Sequence, residues 1–361
     1  MGGAYDFERF LIQYPRPEGD RRRLISERVA RNLLDLRAAF EDPQSLNFVP
    51  AKSESHLLLA TWNIQHFGST ERYDESLWYI AEVLSRFDLI AIQEVKQSLR
   101  DLEIVTQLLG PWWKYIVSDV TAGEPGNEER LAYLFDSRKV RFSGLAGEIV
   151  LPPIKGEDGN MYPARQLVRT PYLAGFRAGW FSFILSTVHL IWGEEVQDFT
   201  PRVEEVEQLT DFLVNRRSEH GAWSRNMILL GDFNMFDPAG IAARALTHSG
   251  FSIPHGREDL RATNVGQEAR FYDQIAFLLE DAERLNPKSL GVVDFFDAVY
   301  TDEKFETYRK ELRTASGKVP ADPLKYYRNS WRRKEMSDHL LLWVRLPNDF
   351  SNIHLSNFLH S

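Results

Sequence analysis

The stretch ILLGDFNM, residues 228–235, places an apolar run directly before a glycine, a carboxylate and an amide. A short apolar run of this kind is typical of a strand that is buried on both faces. Sheets commonly place their chemistry just past the end of such strands, so Asp232 and Asn234 are site candidates. An Asx turn, in which both side chains satisfy their own backbone, is the simpler interpretation of this stretch taken alone.

The composition of the 361-residue chain is close to the average for a soluble globular protein, with 43% hydrophobic and 26% charged residues. The formal net charge of -9 argues against a protein that coats DNA over its whole surface. Any polyanion must therefore bind a local patch. The chain has no cysteine, which excludes disulfides and thiolate metal sites.

The N-terminus, MGGAYDFERF, lacks the basic, apolar and small-residue order of a secretory signal. No stretch approaches the roughly 18 consecutive apolar residues of a membrane span. We therefore expect no membrane span and a cytoplasmic location.

Residues 1–55 differ from the rest and predict an amphipathic helical extension. The apolar residues at helical spacing are Ile25, Val29, Leu33, Leu36 and Phe40. The arginines of this segment would contact nucleic acid or, more commonly for such a pattern, form a solvated helix face. The extension is expected to dock on the following domain, to form a dimer contact or to recruit a protein partner.

From residue 56 onward, short apolar runs alternate with helical patterns, which predicts an α/β domain over 56–347 followed by a tail over 348–361. Two helices are predicted, one through Leu77–Leu84 and one through Val203–Leu213, the latter with Thr200 as N-cap. Strands are predicted near 57–62, 88–93, 114–118, 131–135, 181–189, 227–231, 272–278 and 339–346.

Several of these strands are followed by a polar or ionisable residue that can take part in catalysis or metal binding, as the apolar run 228–230 is. Each has an ordinary structural explanation alone, such as a helix-start acid or a core histidine, but together they exceed what chance supplies. The residues are Asn63 in LLLATWNIQ, Glu94 in DLIAIQEV, His189 in FILSTVHL, Asp273 in RFYDQIAF, and Asp338 with His339 in KEMSDHLLL.

This set provides hard oxygen ligands, two imidazoles and carboxylates that can orient them. Carboxylate and amide oxygens suit Mg²⁺ or Mn²⁺, whereas zinc more often recruits cysteine or several histidines. The pattern therefore predicts metal-assisted attack of water on a phosphate ester. No Walker loop, GxSxG elbow or HExxH helix competes with it.

The ordered motifs TWNIQHFG, IQEV, EERLAYLF, VRTP, VHL, GDFN, YDQI and SDH resemble the endonuclease/exonuclease/phosphatase superfamily. The chain looks most like its deoxyribonuclease I branch, over about residues 56–347. GDFN and SDH are signals of the whole superfamily, so they indicate fold and metal chemistry rather than substrate. The resemblance implies a four-layer α/β/β/α sandwich of two mixed sheets.

By the same resemblance, Glu94 is similar to the principal metal ligand, supported by Asn63 and Asp338. Asp232 and Asn234 are similar to the acid and amide that hold or activate the attacking water and the phosphoryl group.

Two histidine-carboxylate pairs are also implied, His189 with Glu129 and His339 with Asp273. Arg169 of VRTP matches an arginine that contacts phosphate, and Lys96 follows IQEV as a further candidate for phosphate binding. Gln65 departs from the pattern, because the apurinic endonuclease branch carries an acid there. The signal peptide and disulfides of the secreted nucleases are absent, so an extracellular digestive role does not carry over.

The segment KYYRNSWRRK, residues 325–334, alternates basic and aromatic side chains directly before the SDH motif. This composition suits a nucleic-acid groove, with a surface loop carrying a few packed aromatics as the alternative. The candidate contacts are Arg332, Arg333, Tyr327 and Trp331.

The sequence favours a divalent-metal-dependent DNA endonuclease that leaves 5′-phosphate and 3′-hydroxyl ends. The alternative within the superfamily is a phosphatase or phospholipase-like phosphodiesterase acting on phosphoinositides, sphingomyelin or another small phosphorylated substrate. A non-catalytic binding module is disfavoured, because binding alone does not require the full acid-base set.

Overall fold

A computed structural model of the chain describes residues 19–69, 71–121, 128–193, 199–237, 239–254, 256–257, 259–266, 268–283 and 285–360. The longer helices are α1 (Gly19–Glu41), α2 (Asp74–Ser85), α3 (Arg100–Leu109), α4 (Thr200–Ser218) and α5 (Ile241–His248). The strands are β1 (His56–Phe67), β2 (Leu89–Lys96), β3 (Trp113–Val117), β4 (Glu129–Asp136), β5 (Val140–Glu148), β6 (Ile154–Lys155), β7 (Met161–Tyr162), β8 (Tyr172–Ala178), β9 (Phe181–His189), β10 (Met227–Asp232), β11 (Asp273–Leu278), β12 (Ser289–Val293) and β13 (Leu341–Pro347). Three single-turn helices follow, α6 (Phe305–Tyr308), α7 (Pro323–Tyr326) and α8 (Arg332–Glu335), and then the ten-residue helix α9 (Ser351–His360).

Two mixed sheets form the centre of the fold. The first has the strand order β12-β13-β1-β2-β4-β3, and the second has the order β11-β10-β9-β8-β5. Within them β1 pairs with β2 and β9 pairs with β10 in parallel, whereas the neighbouring strands run antiparallel. Strands β6 and β7 form a separate two-stranded ribbon.

The inner faces of the two sheets share one hydrophobic core. Trp62, Tyr133 and Phe176 belong to it and are fully buried. A second cluster, which includes Val206, Leu209 and Leu246, lies beneath α4 and α5 on the outer face of the second sheet. The predicted α/β sandwich of two mixed sheets flanked by helices is therefore confirmed.

Helix α1 docks against the domain through the face that its periodicity predicted: Ile25, Val29, Leu33, Leu36 and Phe40 are all buried. Two ion pairs and one hydrogen bond fasten it to α2, namely Arg28 with Glu75 at 2.8 Å, Arg37 with Glu82 at 2.9 Å, and Asn32 with Tyr79 at 2.7 Å. Residues 1–18, which complete the predicted extension, lie outside the described part of the chain.

Several local predictions differ from the structure. Strands β5, β8 and β12 were not predicted, because they carry glycine, alanine and exposed polar residues in place of a sustained apolar run. Phe199 is the N-cap residue of α4, so the assignment of Thr200 as N-cap was wrong by one position. The tail contains helix α9, Ser351–His360.

Within the described residues, no helix is both long and apolar enough to cross a membrane.

Candidate active site

The predicted site residues lie close together because the strands that carry them end or begin at the same edge of the sandwich. The parallel strands β1, β2, β9 and β10 end at the same edge of the sandwich, and their antiparallel neighbours β4, β11 and β13 begin there. The register places Asp232 of β10 beside both His189 of β9 and Asp273 of β11. A residue at the end of one strand and a residue at the start of its neighbour therefore share one site.

The GDFN motif forms an Asx turn and also places a carboxylate oxygen in the site, so both interpretations of residues 228–235 apply. Asp232 Oδ1 accepts a 2.8 Å hydrogen bond from the backbone N–H of Asn234, which is an Asx turn. The other carboxylate oxygen, Oδ2, faces the site and accepts 2.9 Å from Asn63 Nδ2. Gly231 has φ 136°, and a Cβ there would lie 2.2 Å from the carbonyl oxygen of Val188, so only glycine fits between β10 and β9.

His189 and Glu129 form the first predicted histidine-carboxylate pair, with Nδ1 2.8 Å from Oε2. Arg169 Nε lies 2.9 Å from Oε2 of Glu129, and Lys96 Nζ lies 3.1 Å from its Oε1. Burial alone would raise the pKa of Glu129, but the hydrogen bond and charge of His189, with Arg169 and Lys96, lower it to about 2. Glu129 therefore stays ionised and orients the imidazole.

His339 and Asp273 form the second predicted pair, with Nδ1 2.9 Å from Oδ2. The ring of Tyr272 packs 5.4 Å from the imidazole, centroid to centroid. Burial favours the neutral imidazole, but the charges of Asp273 and Asp232 outweigh it and hold the pKa of His339 well above its usual range. His339 is therefore protonated and paired at neutral pH.

Both imidazoles converge on one oxygen. His189 Nε2 lies 3.4 Å and His339 Nε2 lies 3.7 Å from Oδ2 of Asp232. Nδ1 of each ring faces its own carboxylate, which leaves Nε2 directed towards the shared acid. Asp232 is the centre of the constellation.

Glu94, Asn63 and Asp338 can hold a cation. Oε1 of Glu94 accepts 3.2 Å from Asn63 Nδ2, and Asp338 Oδ2 accepts 2.9 Å from Gln65 Nε2. Among the described residues, Asn63 Oδ1 and Asp338 Oδ1 are buried oxygens without a hydrogen-bond partner. Burial raises the pKa of Asp338, and the charge of Glu94 raises it further, so a cation between the two carboxylates would relieve both costs.

A second acidic grouping lies alongside this one. One ligand atom each of Glu94, Glu129 and His189 falls within 4.8 Å of the others. Glu129 is already in contact with His189, Arg169 and Lys96, so its oxygens are less available to a cation than those of Glu94.

Backbone strain marks the same region. Glu94, His66 and Asn234 have φ angles of 61°, 49° and 52°, values that non-glycine residues seldom adopt. The pairing register shifts between Ile92 and Val95, so Glu94 lies in a bulge of β2. Such conformations each cost on the order of 1–3 kcal/mol and cluster at functional sites, where the surrounding structure enforces them.

Three supporting residues, Ser337, His66 and Arg72, were not predicted as site residues. Ser337 Oγ donates to the carbonyl oxygen of Asn63 at 2.6 Å and accepts from the N–H of His339 at 3.1 Å, which ties two site segments together. The backbone N–H of His66 donates 2.9 Å to Glu94 Oε2. Buried Arg72 donates to the carbonyl oxygens of Gln65 and His66. Ser337 was detectable as part of SDH, whereas Arg72 carried no signal in the sequence.

Glu205 fastens two site loops together, although it lies inside α4. Its carboxylate accepts 2.7 Å from the N–H of Val168 and 2.9 Å from the N–H of Ile191. Val168 directly precedes Arg169 and Ile191 lies two residues after His189, so Glu205 holds the backbone next to both side chains. A buried carboxylate within a helix pattern gives no sequence signal for such a role.

The segment 325–334 is mostly helical and carries a packed aromatic face. Tyr327 is fully buried and Trp331 is 5% exposed, and their rings stack 5.4 Å apart, centroid to centroid. Their predicted stacking on nucleobases is therefore wrong, because these rings fill the core. Arg332 lies 3.4 Å from Asp302 and over the ring of Phe296, which diverts it from a nucleic-acid groove.

Arg333 is placed differently from its neighbour. Burial lowers the pKa of Arg333, and the charge of Asp338 opposes that shift, so the two side chains interact electrostatically. The buried Nε of Arg333 has no hydrogen-bond partner among the described residues. Of the four candidates in this segment, Arg333 is the one whose charge interacts with a predicted site residue, Asp338.

Residues 60–339 match the model of the endonuclease/exonuclease/phosphatase family. The match covers most of the chain and both histidine pairs, so the chain belongs to this family. It is accordingly a hydrolase that acts on phosphoester bonds, in a family whose enzymes generally depend on a divalent metal.

A deoxyribonuclease of Thioalkalivibrio sp. is 30% identical over 195 residues, 52% of this chain and 48% of that protein. The chain thus matches about half the length of that curated relative. An endonuclease/exonuclease/phosphatase family protein of Bacteroides thetaiotaomicron superposes with a TM-score of 0.52 at 19% identity, over 82% of this chain and 99% of that chain. TDP2 of D. rerio, complexed with a single strand DNA product, superposes with a TM-score of 0.50 at 13% identity, over 81% and 99%. These structural likenesses define the fold.

Proposed function

We propose that the chain is a divalent-metal-dependent DNA endonuclease that hydrolyses phosphodiester bonds to 5′-phosphate and 3′-hydroxyl ends. The single observation that carries the proposal is the convergence of both imidazoles on Asp232, with His189 Nε2 at 3.4 Å and His339 Nε2 at 3.7 Å from Oδ2. An acid flanked by two oriented imidazoles can take a proton on one side and give one on the other.

The proton roles follow from the charges of the pairs. Because Asp273 and Asp232 keep His339 protonated, we assign His339 to the phosphoryl or leaving oxygen, where a positive donor lowers the energy of developing charge. Asp232, aided by His189, accepts the proton of the attacking water. Asn63 and Asn234 hold Asp232 in place through hydrogen bonds of 2.9 and 2.8 Å.

Mg²⁺ or Mn²⁺ on Glu94, Asn63 and Asp338 would supply Lewis-acid polarisation of a phosphate oxygen. Arg169 and Lys96 carry positive charge beside Glu129 at the same edge and are proposed to attract the phosphate. Arg333 adds a third cation near Asp338. These three cations are proposed to guide the phosphate towards the site on a protein whose formal charge is -9.

DNA is proposed as substrate because the relative that is 30% identical over 195 residues is named a deoxyribonuclease. A cytoplasmic location and a protein contact through residues 1–55 remain part of the proposal.

The test is incubation of purified protein with supercoiled plasmid, RNA and phosphoinositide vesicles, each with Mg²⁺ and with EDTA. We expect Mg²⁺-dependent nicking of the plasmid and ends that DNA ligase can reseal. Phosphate release or lipid cleavage without nicking would overturn the DNA assignment and support the small-substrate alternative. Tight Mg²⁺-independent DNA binding without turnover would instead indicate a binding module.

A further inference from the structure

Two arginines lie directly opposite each other on the edge of the second sheet. Arg141 of β5 and Arg177 of β8 are register partners in an antiparallel pair, and both are exposed. Partners of this kind place their side chains on the same face, about 4.5–5.5 Å apart at Cβ, where like charges repel. The neighbouring partners Phe142 and Phe176 pack into the core, so the arginine pair faces outward.

The pair opens onto a groove of about 330 Å³ at the turn between β4 and β5. Such a volume accommodates a phosphate group with its hydration shell. The groove is lined by Ser137, Arg138, Lys139, Val140, Arg141, Arg177 and Gly179.

Two acids near the groove, Asp136 and Glu54, lie against its other cations rather than against Arg141 or Arg177. Asp136 is paired with Arg138, whose Nε lies 2.9 Å from Oδ1. Lys139 donates 2.9 Å to the carbonyl oxygen of Ser53 and lies 3.8 Å from the carboxylate of Glu54.

Among the described residues, no carboxylate pairs with either arginine of this pair. Arg177 donates 3.0 Å through Nε to the carbonyl oxygen of Gly179, and no carboxylate within the described ranges pairs with it. Beyond the backbone pairing of β5 with β8, the exposed side chain of Arg141 has no hydrogen-bond or ion-pair partner among the described residues.

The neighbouring end of the first sheet is also basic. Arg345 Nη2 lies 3.2 Å from Nδ1 of His56. Burial lowers the pKa of His56, and the charges of Arg345, Lys139 and Lys288 lower it further. Four further basic side chains lie around this end of the sandwich, in addition to Arg141 and Arg177. They are Arg138, Lys139, Lys288 and Arg345.

We propose that this groove is a second phosphate-binding site, in which the guanidinium forks of Arg141 and Arg177 hold one phosphate group. Arginine forks match the oxygens of phosphate geometrically, and a bound dianion removes the repulsion between the two side chains. The groove lies at the opposite end of β4 from Glu129, about 25 Å from the catalytic edge at about 3.3 Å per residue. The bound group is either free phosphate or a phosphate of the nucleic-acid backbone.

The first experiment compares the melting temperature in phosphate and in chloride at equal ionic strength. The variants are R141A/R177A and a matched control, R216A/R309A, which removes two exposed arginines that each have a carboxylate partner nearby. Phosphate should raise the melting temperature of wild type and control by more than that of R141A/R177A. Any phosphate at the catalytic edge contributes equally to all three proteins, so the difference reports the groove.

The second experiment identifies the source of the phosphate. Binding of a duplex of about 30 base pairs, longer than the separation of the two sites at about 3.4 Å per pair, is measured against salt without metal. If the groove holds the DNA backbone, R141A/R177A should weaken binding and reduce the salt slope by about 1–2. If it holds free phosphate, DNA binding should equal that of the control while the melting difference persists.

Equal phosphate shifts in all three proteins, with unchanged DNA binding, would overturn the proposal. R141K/R177K keeps both charges but lacks the fork, so it should retain only part of the phosphate shift. None of these readouts depends on cleavage. A negative result in the plasmid assay, which tests the proposed function, can therefore be told apart from a negative result in these binding measurements, which test the groove.

Discussion

Glu129 and His189 belong to different sheets, yet Oε2 of the one lies 2.8 Å from Nδ1 of the other. Glu129 begins β4 of the first sheet and His189 ends β9 of the second. The second pair repeats the arrangement, because His339 leads into β13 of the first sheet and Asp273 begins β11 of the second. The site therefore exists only while the two sheets are packed face to face.

This relationship predicts that His189 and Glu129 act as one unit. His189→Ala should reduce metal-dependent cleavage by at least roughly 10²-fold, because it removes a positioned acid-base group. Adding Glu129→Gln to that variant should cost little more, since the carboxylate acts through the imidazole. The measurement is a double-mutant cycle on kcat/KM for plasmid nicking.

His339→Ala should also lose at least roughly 10²-fold in cleavage. Far-UV and near-UV circular dichroism establish that each variant is folded. Near-normal turnover in a folded His189→Ala or His339→Ala protein would contradict the assignments, and full additivity in the cycle would contradict the coupling.

Glu94→Gln should weaken Mg²⁺ binding far more than it weakens folding, because it keeps the shape of the side chain and removes its charge. The measurement is the Mg²⁺ concentration for half-maximal cleavage, with the melting temperature recorded in parallel. Glu103→Gln, an exposed position on α3, is the matched control. An unchanged Mg²⁺ requirement in Glu94→Gln would remove Glu94 from the ligand set.

The depressed pKa of Glu129, about 2 in the fold, predicts a specific part of the acid unfolding profile. A lowered folded-state pKa adds stability above the unfolded value of about 4.3 and loses it as the pH falls towards about 2. The contribution is on the order of 3 kcal/mol. Urea unfolding between these pH values should show a shallower decline in Glu129→Gln than in wild type, and parallel declines would refute the shift.

Arg333 and Arg332 should differ in DNA binding although they are adjacent. Arg332 is occupied by Asp302 and Phe296, whereas Arg333 lies near Asp338. Arg333→Ala should weaken duplex binding and reduce its salt slope by about 1, while Arg332→Ala should change either quantity less. Fluorescence anisotropy across a salt series measures both, and a larger effect at Arg332 would reverse the assignment.

Docking of α1 depends on the pair of Arg28 and fully buried Glu75. Arg28→Ala leaves that buried carboxylate without its cation and should lower the free energy of unfolding by about 3–5 kcal/mol. The double variant Arg28→Met with Glu75→Leu should recover most of this loss. Arg31→Ala, whose side chain is 79% exposed, should change stability by less than about 0.5 kcal/mol. Chemical denaturation tests all three, and equal losses in Arg28→Ala and Arg31→Ala would exclude the pair as the fastening contact.

The sequence by itself determined the apolar strands and the residues at their ends. Periodicity located the buried face of α1, and the motifs located Asn63, Glu94, His189, Asp232 and His339. Both signals are local, since they depend only on residue order within about ten positions of the chain.

Only the tertiary structure decided which of these residues meet. Tyr327 and Trp331 lie in a segment whose composition suits a nucleic-acid groove, but both are buried. The local sequence does not show whether such a ring points into the core or towards solvent. The roles of Arg72 and Glu205, and the repulsive pair Arg141 and Arg177, arise from contacts between distant segments. Strand pairing and sheet packing create those contacts, and they depend on the whole chain rather than on any single stretch of it.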